Sequence, residues 1–235
     1  MDNEVARTEP AEAARAIVTD RFPDARAAFL SAGILSPRRT PTSDLDIVVV
    51  LAGPPAPYRE SLHWRGWPVE LFVHDADSLG RYFASDTARR RPTLARMCSD
   101  AEVLAGDQDT ITTVRERAKS VLAAGPPPLS SAELGWARYV LTDLLDDLSG
   151  SADPGEASVI GWNLWTETAE LALVLAGRWL GTGKWLLREL RAADLDLADR
   201  MVAAIGSPAR LTQVADEVLG RAGGRFWAGL RVAGS

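Results

Sequence analysis

The stretch Ser31-Ala32-Gly33-Ile34-Leu35-Ser36-Pro37-Arg38-Arg39-Thr40-Pro41-Thr42-Ser43-Asp44-Leu45-Asp46 runs directly into Ile47-Val48-Val49-Val50. The apolar run from Ile47 presents hydrophobic side chains to both sides, the pattern of a strand in the middle of a sheet. Gly33, Pro37 and Pro41 mark the preceding residues as loop. Asp44 and Asp46 are two apart, so on an extended chain they share one face, with Cα atoms roughly 7 Å apart. Leu45 and Ile47 then turn to the opposite face and into the core. Two like charges beside a buried strand are costly unless a cation sits between them. Carboxylates so placed can converge on metal ions about 3.5–4 Å apart. A bare Asp-x-Asp also occurs at solvated strand ends and in capping turns, so its surroundings decide its meaning.

Working outward, Glu9 to Asp20 has helical spacing with Pro10 suited to a first turn, and Ala27 to Ser31 is a short strand. Gly53-Pro54-Pro55-Ala56-Pro57 ends the central strand. Arg59 to Trp64 and Trp67 to Val73 are β-prone runs joined by Arg65-Gly66, a hairpin signal. In the second run Val69, Leu71 and Val73 share one face, and Glu70 and Phe72 the other. Helices are predicted over Asp77–Ser85, Arg91–Met97 and Asp109–Ala123, with Ala101–Leu104 a small strand or extended segment. Gly125-Pro126-Pro127-Pro128-Leu129-Ser130-Ser131 cannot continue a helix and reads as a stiff spacer. Beyond it nearly everything is helical: Ser131–Leu148, Pro154–Trp179, Lys184–Ala193, Ala198–Ile205 and Pro208–Ala222. The tail from Phe226-Trp227 either docks by its aromatic rings or stays loose. The expected fold is α+β, a mixed sheet with flanking helices over residues 1–124, followed by an all-α helical bundle over 125–235.

A strand, a small-residue turn, a loop of about ten residues and then Ser43-Asp44-Leu45-Asp46-Ile47-Val48-Val49-Val50 resembles the signature of the nucleotidyltransferase superfamily. That superfamily includes DNA polymerase β and kanamycin nucleotidyltransferase, and the Gly181-Thr182-Gly183-Lys184-Trp185 stretch resembles its bacterial members with a helical second domain. Glu70 falls where its third carboxylate belongs. The resemblance covers roughly residues 26–74 and more loosely the whole first domain. It implies Mg²⁺ held by Asp44, Asp46 and Glu70, with Glu70 as third ligand or as proton acceptor. It implies a nucleoside triphosphate donor, ATP first, with AMP passed to a hydroxyl. Ala32, Gly33 and Ser43 would line the phosphate turn. Arg39, with Arg38 beside it, would reach the phosphates. Lys184, in Gly181-Thr182-Gly183-Lys184-Trp185, would project to a phosphate across a domain cleft. The chain departs from the pattern at one place. Where the superfamily carries Gly-Ser, it has Ala32-Gly33, and a lost hydroxyl removes about 1–3 kcal/mol of charge-assisted hydrogen bonding. Gly33-Ile34-Leu35 as a short helix start, or the hydroxyls of Ser31 or Ser36, are expected to stand in.

Composition narrows the alternatives. With 26 basic and 32 acidic residues the net charge is −6, which disfavours general nucleic-acid binding. One cysteine, Cys98, excludes an internal disulfide and a Cys-rich zinc site, and two histidines exclude a His-rich one. No apolar run approaches the ~20 residues of a membrane helix, and the first ten residues read as no signal peptide, so a cytoplasmic protein is expected. Of the 26 basic residues only Lys119 and Lys184 are lysines, a bias expected of a GC-rich bacterial genome. Residues 1–124 carry 16 basic and 18 acidic side chains and 125–235 carry 10 and 14, so the second part is the more acidic. A cationic acceptor such as an aminoglycoside-like antibiotic suits that balance, and a hydroxyl on a partner protein is the other acceptor class. In the helical part Trp162, Trp165, Trp179 and Trp185 read mainly as core, with Trp165 a candidate for stacking on a ring and Glu167 or Glu170 for holding an amine. Arg89-Arg90-Arg91 reads as a solvated face, His63 and His74 as hairpin residues, and Cys98 as buried. A reading of a different class is a catalytically silent nucleotide-binding or interaction module.

Overall fold

The computed structural model describes residues 8–37 and 39–231. Arg38, which the sequence offered as a phosphate contact, lies outside them. Two compact units separate at the proline spacer, residues 1–124 and 125–235.

In the first unit, helix α1 (Pro10–Arg21) leads into strand β1 (Ala27–Leu30), then β2 (Leu45–Val50), β3 (Tyr58–Trp64) and β4 (Trp67–His74). Helices α2 (Ala76–Ala88) and α3 (Thr93–Ser99), strand β5 (Glu102–Gly106) and helix α4 (Gln108–Ala124) complete it. The strands form one sheet in the order β3-β4-β2-β1-β5. β2 and β4 are parallel; the other neighbours are antiparallel. The hairpin signal holds: Trp64 pairs with Trp67, and Arg65 (φ 48°) and Gly66 (φ 81°) both occupy the left-handed region that a two-residue primed turn demands. That turn folds β4 back on β3, and the other edge of β4 pairs with β2, which stands in the middle of the sheet.

The two faces of β2 are buried by different layers. Leu45, Ile47 and Val49 pack with Ala28, Leu30, Val69, Leu71 and Val73 against α1. Val48 and Val50 pack with Phe29, Phe83, Leu94 and Val114 against α2, α3 and α4. Asp46 belongs to this second face but, near the start of the strand, is partly exposed. Asp75 caps α2 through a reciprocal pair with Ser78, and buried Asp86 accepts the Leu94 amide and pairs with Arg89. The Arg89-Arg90-Arg91 run thus begins with a structural ion pair.

The second unit contains α5 (Ser131–Gly150), α6 (Pro154–Leu175), α7 (Lys184–Ala193), α8 (Leu195–Ala203) and α9 (Pro208–Arg221), around a core that includes Leu145, Leu164, Leu173, Leu190, Met201 and Val218. α6 is shorter than the sequence pattern implied. It stops at Leu175 because Gly177 (φ 63°) closes it: the Arg178 amide reaches Leu173 O (2.9 Å) and the Gly177 amide Val174 O (3.0 Å). Trp179 therefore belongs to the following loop. The tail docks. The Phe226 amide donates to Thr142 Oγ1 (3.0 Å), Arg138 lies over the Phe226 ring, and Trp227 stacks on Tyr139.

Because Ile47 is fully buried with the β2–β4 pair around it, Ile47→Ala is expected to cost about 2–5 kcal/mol in denaturant unfolding of the first unit.

Candidate metal centre

The site follows from strand register. In the parallel β2–β4 pair, Asp46 stands opposite Glu70. Asp44 precedes β2 and lies two residues before Asp46, so its carboxylate is delivered to the same end. The outcome is a convergence: one oxygen from each of Asp44, Asp46 and Glu70 lies within 4.8 Å of the others. Oxygens around an octahedral Mg²⁺ lie about 3 Å apart when adjacent and about 4.2 Å apart when opposite. Small carboxylate rotations cover the difference. The donor set is also right for a hard cation, three carboxylates with no sulfur or imidazole. The three residues fit a divalent ion.

One residue that the sequence reading passed over joins them. Arg59 on β3 donates from Nη2 to Glu70 Oε2 (2.5 Å) while its guanidinium lies over the Phe72 ring, 4.7 Å from the centroid. Arg59 opposes Phe72 and Ser61 opposes Glu70, so the arginine reaches diagonally along one face. Only the register reveals this; in sequence Arg59 is one charge on an alternating edge strand.

The turn after β1 is held to the site by its first amide, as Ser31 N–H donates to Asp46 O (2.9 Å). Ala32 and Gly33 are exposed in it. The expected short helix at Gly33-Ile34-Leu35 is instead a pair of tight turns, Leu35 to Ala32 O and Ser36 to Gly33 O. Pro37 accounts for this, since it keeps the residue before it out of helical geometry. The Ser36 hydroxyl is bonded to Gly33 O (2.8 Å). A Cβ on Gly33 would meet nothing closer than Ser31 Oγ at 4.0 Å. Ser43 ties the far end of the loop, accepting the Thr40 amide on its hydroxyl (2.9 Å). Arg39 lines clefts at the start of α1 with Glu9, Pro10, Ile34 and Trp67. Ile34 and Trp67 belong to the α1-side core, whereas Asp46 lies on the other face of the sheet.

Lys184 opens α7 in the second unit, exposed, behind Gly183, which supplies no side-chain cap. Trp185 is exposed and carries Arg188 at 4.4 Å from its centroid. Trp165 is only 5% exposed, and its Nε1–H donates to Met201 O (2.8 Å), so it is a wall and not a platform. Trp162, 59% exposed, is the ring that faces outward, parallel to Trp165 at 5.8 Å. Both border a cavity of about 500 Å³ between the start of α6 and the α8–α9 turn. Glu167 and Glu170 are half-buried further along α6. His74 is buried edge-on to Tyr82, and burial pushes its pKa down, which favours a neutral ring. Burial pushes the Cys98 thiol up to about 12, so it is no nucleophile.

No family model and no curated protein matches this chain. A solved structure is similar in fold. It is a nucleotidyltransferase-like protein from Exiguobacterium sibiricum, 12% identical, with 89% of this chain and 74% of that chain covered and a TM-score of 0.47. Among the described residues no helix is long and apolar enough to cross a membrane.

Three carboxylates this close repel one another by about 1 kcal/mol per pair even at the dielectric of water. Asp44→Asn is therefore expected to raise the melting temperature in chelator, while added Mg²⁺ stabilises the unsubstituted protein more than the variant in thermal melts.

Proposed function

We propose that this protein is a Mg²⁺-dependent nucleotidyltransferase that moves a nucleoside monophosphate, AMP from ATP first among the candidates, to a hydroxyl group. The observation that carries the reading is the convergence of Asp44, Asp46 and Glu70 at one end of the parallel β2–β4 pair. In such a transfer the acceptor oxygen bonds to the α-phosphorus, the α–β phosphoanhydride bond breaks, and pyrophosphate leaves. Mg²⁺ bound here would neutralise phosphate charge, the main demand of phosphoryl-type chemistry. Asp44 and Asp46 hold the ion. Glu70 completes the set or takes the acceptor's proton. The turn at Ala32-Gly33, joined to β2 through the Ser31 amide and the Asp46 carbonyl, is proposed as the phosphate-binding turn. Lys184 is proposed as a phosphate contact from the helical unit and Ser43 as a lesser contributor to the donor site, whereas Arg39, which lines clefts on the α1 side of the sheet, is not assigned to it.

The acceptor is proposed to be a small hydroxyl compound of aminoglycoside type, drawn by the more acidic second unit, or a partner protein's hydroxyl. A reaction that draws on ATP and Mg²⁺ is proposed to run in the cytoplasm, and the arginine-rich composition suits a bacterial source.

One observation favours a silent module instead: the turn lacks the serine hydroxyl. Two others weigh against it. The carboxylates converge, and of the two side chains that could block the site, Ile34 is buried in the α1-side core while Leu35 is 44% exposed.

Calorimetric titration of ATP with Mg²⁺ tests the reading. The protein is expected to bind in a Mg²⁺-dependent manner, and Asp44→Ala/Asp46→Ala to lose that binding. Absence of binding across the four nucleoside triphosphates would favour the silent module. Because Gly33 has room for a side chain, Gly33→Ser is expected to fold normally and tighten ATP binding by about tenfold, the worth of one hydrogen bond to a charged group.

A further inference from the structure

Three carboxylates converge at the site, and Arg59 is bound to one of them, Glu70. Arg59 occupies Glu70, one of the proposed ligands, so ion and guanidinium compete for the same carboxylate. The pair is weakly held. The Arg59 side chain is 59% exposed and that of Glu70 28%, and exposed ion pairs add little stability. The Arg59 guanidinium also rests on the Phe72 ring, on the same face of the sheet as Glu70 and Asp46, which keeps it near the site. An arginine released from Glu70 stays beside the site with its donors free, and its planar fork suits phosphate oxygens.

We propose that Arg59 is a positioning residue that exchanges partners: it holds Glu70 while the site is empty and passes to the donor's phosphates when the metal takes Glu70. The inference rests on the metal-site reading above. Its consequence is a preference. The bare ion must displace Arg59 with nothing to receive the guanidinium, whereas a metal–triphosphate supplies both the ion and the anion. Arg59 thus biases the site against free metal and toward metal-bound nucleotide.

The test is Mn²⁺ binding by electron paramagnetic resonance without nucleotide, beside ATP binding in saturating Mg²⁺, for the unsubstituted protein, Arg59→Met and Arg59→Lys. Arg59→Met is expected to bind bare Mn²⁺ about fivefold tighter and ATP about fivefold more weakly, the size that an exposed ion pair sets. Arg59→Lys, which keeps the charge, is expected to return both values toward those of the unsubstituted protein. A purely structural arginine would not yield tighter metal binding on removal. Unchanged or weaker Mn²⁺ binding by a folded Arg59→Met, or unchanged ATP binding, overturns the exchange while leaving the metal site standing. Failure of both the unsubstituted protein and Arg59→Met to bind Mn²⁺ overturns the metal site and the exchange together.

Discussion

The parallel register of β2 and β4 is the constraint on which the site depends. Asp46 faces Glu70 because Leu45, Ile47, Val48, Val49 and Val50 have no other way to bury both faces of the strand. A slip of one residue in either strand would send its side chains to the opposite layer and part Asp46 from Glu70. Several buried side chains, each worth about 1.5–3 kcal/mol, therefore oppose any such slip. The apolar majority sets where the few carboxylates stand.

That arrangement concentrates negative charge near the start of β2. The repulsion is bearable because the carboxylates keep access to water and because Arg59 supplies one counter-charge. Complete burial would favour protonation over ion binding, and full exposure would let the side chains drift apart. The end of a central strand, dry along its length and wet at its tip, lies between these limits.

The helical unit is built on different terms. Its helices are stopped and started by caps: Ser130 with Glu133 opens α5, Asp153 opens α6, Asp194 opens α8, and Gly177 closes α6. Arg225 bridges Asp146 and Asp216, and the docked tail runs back across α5. These ties hold Arg225, Phe226 and Trp227 against the unit by polar and ring contacts.

The sequence by itself determined the strand carrying Asp44 and Asp46, the Arg65-Gly66 hairpin, the helical character after the proline spacer, and the pairing of Glu70 and Phe72 on one strand face. All of these follow from local rules, the period of two along a strand and the backbone limits of glycine and proline, which need no knowledge of distant neighbours. The end of α6 was misplaced because apolar spacing continues through Trp179 while the left-handed Gly177 breaks the backbone. The sequence reading chose Trp165 as the stacking ring and the structure exposes Trp162 instead, since three residues along a helix separate a buried ring from an exposed one only when the packing partner is known. Tertiary structure alone decided that Glu70 meets Asp46 across a parallel pair, that Arg59 reaches Glu70 diagonally, and that Ile34 turns into the core. Each is a contact between segments whose spacing is fixed by sheet order and register, and those are settled by the burial of the whole first unit, not by any one stretch of it.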